Sequence, residues 1–276
     1  MNELLNHPGV QAGVAPFLAA LVLAWPLSRT RFAALAAGAA FALTVALTVG
    51  FTFPPSTSTQ KLVAVVLLGV ALTVPFEMFA PQLNAARLRL LLAGAAGVAV
   101  LWVLSRLLLQ QETLPALLAG GAAALYAALL VYAGSNAAPD PVPSAAAALV
   151  LALGSGVLAL LGASALLAQL GICMAAAAGA VLLVLVIRGM GVQASRTLAL
   201  PAHLAAGLIG PLAVATGSLP WYGLVPLLAV PWAAGRFPMK GRAVWLRGLV
   251  CSGMAFVPML LAVFLSLYLA MRAPGA

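Results

Sequence analysis

Apolar residues in this chain come in blocks of about twenty, divided by short clusters of Pro, Gly, Ser, Asn and Arg. At ~1.5 Å per residue such a block matches the ~30 Å hydrocarbon core of a bilayer, whereas barrel strands would alternate apolar and polar residues over about ten. The pattern predicts an all-α, polytopic transmembrane bundle of about ten helices: Gly9 to Leu27, Phe32 to Phe53, Leu62 to Phe79, Leu88 to Leu109, Pro115 to Gly134, Ser144 to Gly162, Leu170 to Arg188, Leu198 to Gly217, Leu219 to Gly235 and Ala243 to Met271. Residues 1–276 read as a single integral membrane domain. The first block is preceded by Glu3 and His7 and by no Lys or Arg, the reverse of a signal peptide, so it reads as a retained helix.

The division between the sixth and seventh helices rests on charge. With a break at Ala163 to Gln169, Arg29, Arg31, Arg87, Arg89, Arg188, Arg196, Arg236, Lys240, Arg242 and Arg247 share one side, and Lys61, Arg106 and Arg272 the other. Merging the two helices would scatter this segregation, so the positive-inside rule predicts ten helices with both termini on the non-cytoplasmic side. Trp25, Trp232 and Trp245 fall near the inner boundary and Trp102 and Trp221 near the outer, where amphipathic rings belong. Ten helices could divide five and five into an inverted repeat joined at Ser135 to Pro143, although the halves share no residue-level similarity.

Composition agrees: 65% hydrophobic and 6% charged residues cannot cover a soluble globule. The net charge of +9 lies in short inter-helix loops, which points to topology and anionic lipid and away from nucleic acid. Arg, Ala, Leu and Gly usage suggests a GC-rich bacterial genome, hence the bacterial inner membrane. In helix number and size the chain is similar to the drug/metabolite transporter superfamily, whose termini are usually cytoplasmic; no motif matches, and no family follows.

Two ionisable residues call for a reason. Glu77 is the one acid inside an apolar block, about 22 Å into its helix by rise per residue and so close to the inner boundary. It either pairs with Arg87 or Arg89 and fastens the third helix to the fourth, the preferred reading, or lines an inner vestibule. His203, ~8 Å inside the same boundary, would share that vestibule. The inner loop carrying Arg236, Lys240, Arg242 and Arg247 beside Phe237 and Trp245 suits anionic headgroups. The outer stretch Phe53 to Lys61 reads as a solvated connector.

Chemistry is thinly represented. A dyad of Ser155 with His203 is opposed by their difference in depth, Asp140 is the only Asp, and two His with two scattered Cys make no zinc pattern. No catalytic residue, metal ligand or cofactor site is therefore assigned. No ionisable residue falls in the middle third of a predicted helix, which disfavours an ion-coupled pump. The expected function is a non-enzymatic structural or accessory membrane subunit, with membrane lipids and a membrane protein as partners. The alternative is an uncoupled carrier of a small neutral or lipidic solute.

Overall fold

Apolar blocks bounded by turn residues form ten α-helices among the described residues of the computed structural model: 7–30, 32–79, 84–137, 140–189, 197–216, 219–236 and 241–272. They are α1 (Ala15–Leu27, entered through a π turn at Val10–Val14), α2 (Ala34–Thr48), α3 (Ser58–Phe79), α4 (Ala85–Leu108) and α5 (Thr113–Ala137). The second half holds α6 (Pro141–Leu161), α7 (Ala165–Arg188), α8 (Leu200–Thr216), α9 (Val230–Gly235) and α10 (Val244–Arg272). Asn84 caps α4 by accepting from Ala86 N at 2.9 Å, and Asp140 caps α6 by accepting from Val142 N at 3.2 Å.

The stretch read as an outer connector is in part helix. Thr57 Oγ1 accepts from Gln60 N while Gln60 Oε1 accepts from Thr57 N, each at 3.2 Å, a reciprocal capping box that starts α3 at Ser58. The break between α6 and α7 lies where charge segregation places it, and its geometry is a Schellman motif. Ser164 N donates to Ala159 O and Ala163 N to Leu160 O, both at 3.0 Å, with Ala163 at φ 61° where glycine is usual.

The ninth predicted helix is continuous in sequence but not in form. Pro220, Pro226 and Pro231 remove backbone donors, and the chain winds as 3-10 turns at Trp221–Gly223 and Val225–Ala229 before α9 begins. Because a 3-10 turn rises ~2.0 Å per residue against ~1.5 Å for an α-helix, the fifteen residues Trp221–Gly235 reach about 26 Å, nearly a bilayer core. Seven helical segments are long and apolar enough to cross a membrane on their own, and the fold fits a multi-pass membrane bundle.

Three helices make the centre. On α8 every residue from Pro201 to Ala213 is buried, and α6 and α7 are the most buried of the long spans. Around them α1 and α2 pack on α7, α3, α4 and α5 pack on α8, and α9 and α10 pack on α6. A five-and-five repeat would pair α1 with α5 as α6 pairs with α10, yet α1 and α5 are not packed together among the described residues.

Small residues set the central spacing. A Cβ on Gly171 of α7 would lie 2.5 Å from Gly156 Cα on α6, so here backbone meets backbone. Gly207 of α8 meets the Ala127 backbone of α5 in the same way, at 3.2 Å. Large apolar side chains, among them Val22, Leu91, Val98, Leu118 and Phe264, face outward, as lipid-facing positions do. All five Trp are exposed and none lies mid-helix in a long span.

Gly171→Ala is expected to push α6 from α7 and lower stability in detergent by about 1–3 kcal/mol, the usual magnitude of overpacking. Gly253→Ala, which meets open space, is expected to leave the thermal midpoint unchanged or higher; an equal loss in both variants would refute the close-contact account.

Candidate functional site

The buried polar groups gather where helix ends meet, and the most consequential cluster lies at the head of α8. A turn at 197–199 precedes the helix, with Leu200 N donating to Thr197 O at 3.0 Å. Glu77, near the end of α3 and 3% exposed, reaches this turn: its Oε1 accepts from Thr197 N at 2.7 Å and from Thr197 Oγ1 at 2.8 Å. The carboxylate thus anchors, from another helix, the turn that leads into α8, near the end where the helix dipole is positive. Bonds of this charge-assisted kind are worth ~1.5–3 kcal/mol each, enough to offset much of the desolvation of one acid.

Besides the staple expected between α3 and α4, this oxygen ties α3 to α8 across the bundle. Arg87 is exposed and Arg89 half-buried at the head of α4. The local signal for Thr197 was present in the sequence, a hydroxyl residue shortly before Pro201 and an apolar run.

His203 lies further along α8 and is 1% exposed. Its Nδ1 stands 2.8 Å from Ala199 O; a carbonyl only accepts, so Nδ1 carries the proton. The other edge of the ring rests on Gly134 of α5, where a Cβ would come within 2.5 Å of Nε2. Beside it is a cavity of about 10 Å³ lined by Leu92, Val131, Gly134, Ser135, Ala199, Leu200 and His203. Glu77 and His203 are thus brought to one helix head, but Glu77 is not among the residues lining this cavity. Ser155 donates to Ala152 O within its own helix at 2.9 Å, so neither it nor His203 bonds the other in the way a dyad requires.

The same end of the bundle carries two further ties. Arg247, buried at the start of α10, forms an ion pair with Asp140, the cap of α6. It is withdrawn from the headgroup set by this burial, since local composition gave no sign of an acid 107 residues away. Arg236 and Arg242 are exposed, while Lys240 lies outside the described residues. Arg188 at the end of α7 donates to Ser28 Oγ at 2.9 Å and stacks 4.3 Å above the Trp25 ring, joining α7 to α1.

At the opposite end Lys61, 8% exposed, donates to Ser105 Oγ at 2.9 Å and Trp102 O at 3.2 Å, joining α3 to α4. Deeper in the bundle, Cys173 Sγ lies 3.0 Å from Thr44 Oγ1; Cys173 and Cys251 are both free thiols. Among the described residues no group of three His, Cys, Asp or Glu could hold a metal ion. No family model matches the chain, and no curated protein or solved structure does.

What this arrangement does chemically is hold helices together. Each described cationic or anionic side chain that is buried engages a partner on another helix or in the turn leading into one.

Glu77→Leu is expected to strand the Thr197 N–H and lower stability by about 1–3 kcal/mol, whereas Thr197→Val, which keeps that N–H, should lose no more than about 1.5 kcal/mol. A double-mutant cycle on the pair should return a coupling of about 0.5–3 kcal/mol by thermal unfolding; additivity would remove the tie between α3 and the turn before α8. Arg247→Met, leaving the Asp140 carboxylate without its partner, should likewise lower the unfolding midpoint, and an unchanged midpoint would reduce that pair to a surface contact.

Proposed function

We propose that this chain is a non-enzymatic multi-pass protein of the bacterial inner membrane, acting as a structural or accessory subunit that binds another membrane protein. The observation that carries the reading is the packing of the centre. Helices α6 and α7 meet backbone to backbone and α8 is sheathed on all sides, while the cavities at His203 and beside Ser28 are each about 10 Å³, the size of one water. A bundle packed this way presents its outer surface to partners and lipid more readily than it encloses a solute.

The orientation follows from charge. Among the described residues Arg29, Arg87, Arg89, Arg188, Arg236, Arg242 and Arg247 share one end of the bundle, and Lys61 and Arg106 the other. The positive-inside rule supports a cytoplasmic location for the first end and non-cytoplasmic termini. Exposed Arg236 and Arg242, with exposed Trp232 and Trp245, suit anionic headgroups on that face at ~1 kcal/mol per base.

The second reading, an uncoupled carrier of a small neutral or lipidic solute, is favoured by the interrupted ninth span, since discontinuous helices line binding sites in many transporters.

Native mass spectrometry of the protein extracted from its own membrane in mild detergent is expected to find a stoichiometric protein partner. A solitary chain that gives saturable flux of a neutral solute in proteoliposomes would establish the carrier instead. A reporter fused to the C-terminus is expected to be active only on the non-cytoplasmic side, and cytoplasmic activity would overturn the orientation.

A further inference from the structure

His203 Nε2 is a buried atom with no hydrogen-bond partner among the described residues, and it sits at a cavity. A buried acceptor left unmet costs about 1–3 kcal/mol, and in folded proteins such atoms are nearly always satisfied by protein or by an ordered small molecule. The surrounding chemistry defines what can meet it. With Nδ1–H engaged on Ala199 O, a neutral ring presents a lone pair at Nε2. Ser135 Oγ donates to Tyr132 O at 2.8 Å, which leaves its oxygen lone pairs as acceptors. Ala199 O already receives two donors, His203 N at 3.0 Å and His203 Nδ1 at 2.8 Å. Leu92, Val131 and Leu200 complete the wall with apolar surface.

The polar side chains of the cleft therefore offer acceptors and no spare donor. An anion has nothing to bind there. A metal ion would find one imidazole and one hydroxyl with no carboxylate or thiolate, too few ligands of too little charge. An ammonium group would enter a buried cleft without a counter-charge among its lining residues. What remains is a neutral O–H group, and a cavity of about 10 Å³ takes one.

We propose that the cleft between α4, α5 and α8 is a hydroxyl-binding site, in which one O–H group donates to His203 Nε2; where the occupant is water, its second O–H meets Ser135 Oγ. A resident water and the free hydroxyl of a membrane lipid share this chemistry. Gly134 is part of the site, because any side chain there would drive the ring out of it. The site stands whether the protein is a subunit or a carrier.

The chain has only two histidines, so His7→Gln leaves His203 as the single imidazole. The test is nitrogen NMR of that variant, labelled with 15N-histidine, in nanodiscs of phosphatidylcholine, which has no free hydroxyl, and of phosphatidylglycerol, which has two. The expected result is an unprotonated Nε2 whose resonance is displaced from that of a bare lone pair by a hydrogen bond. Displacement in both lipids with magnetisation transfer from water identifies a water. Displacement in phosphatidylglycerol alone, with transfer from its glycerol protons, identifies a lipid hydroxyl. A bare lone pair, or a proton resident on Nε2, in both lipids overturns the proposal. With water resident, Ser135→Ala should move the resonance part of the way towards the bare position, and an unmoved resonance then overturns Ser135 as the second acceptor.

Discussion

A carboxylate among apolar helices is stable only while donors face it, and Glu77 finds them in the backbone and hydroxyl of Thr197. The dependence runs both ways. Helix α8 is buried along nearly its whole length, so the Thr197 donors in the turn ahead of it, themselves buried, have no water to fall back on and must be met by a group of the protein. Because that group belongs to α3, the insertion depth of α3 and the start of α8 are fixed together. The helices that lean on α8, namely α3, α4 and α5, inherit this reference point.

The rest of the polar inventory follows one logic. Lys61, Arg188, Arg247 and Glu77 all stand in the first or last turns of their helices, and each reaches across to another element. The interior between these belts is held chiefly by close approach, through Gly156 on Gly171 and Gly207 on Ala127, with the contact of Cys173 and Thr44 joining α7 to α2. In lipid there is little hydrophobic gain from pressing two apolar helices together, so dispersion between backbones in contact and a few fixed hydrogen bonds carry specificity. The bundle is tied at its ends and zipped at its middle.

Most of the architecture was legible in the sequence because hydrophobic blocks and turn residues are local signals. The break at Ala163, set by charge bookkeeping, coincides with a Schellman motif, and the ninth block was the most interrupted in sequence as it is in space. The Thr57 to Gln60 capping box was also legible, as a hydroxyl followed three residues later by Gln, but was obscured by the polarity of the stretch around it. The site was another matter. Glu77 meets Thr197 across 120 residues and Arg247 meets Asp140 across 107, and no periodicity or composition reports pairings of that range. Local context sent Arg247 to headgroups, whereas tertiary packing gives it Asp140, and nothing local announced the contact of Glu77 with Thr197.

The wound-up ninth span has a consequence for the membrane itself. Its eight 3-10 residues each add ~0.5 Å of reach over α-helical winding, so rewinding them would shorten the span by about 4 Å. That length is comparable to the difference in hydrocarbon thickness between one biological membrane and another. A rigid helix meets such a difference by tilting, which would disturb its neighbours. Here Pro220, Pro226 and Pro231 hold the longer winding, so fifteen residues keep their extended reach beside α6 and α10.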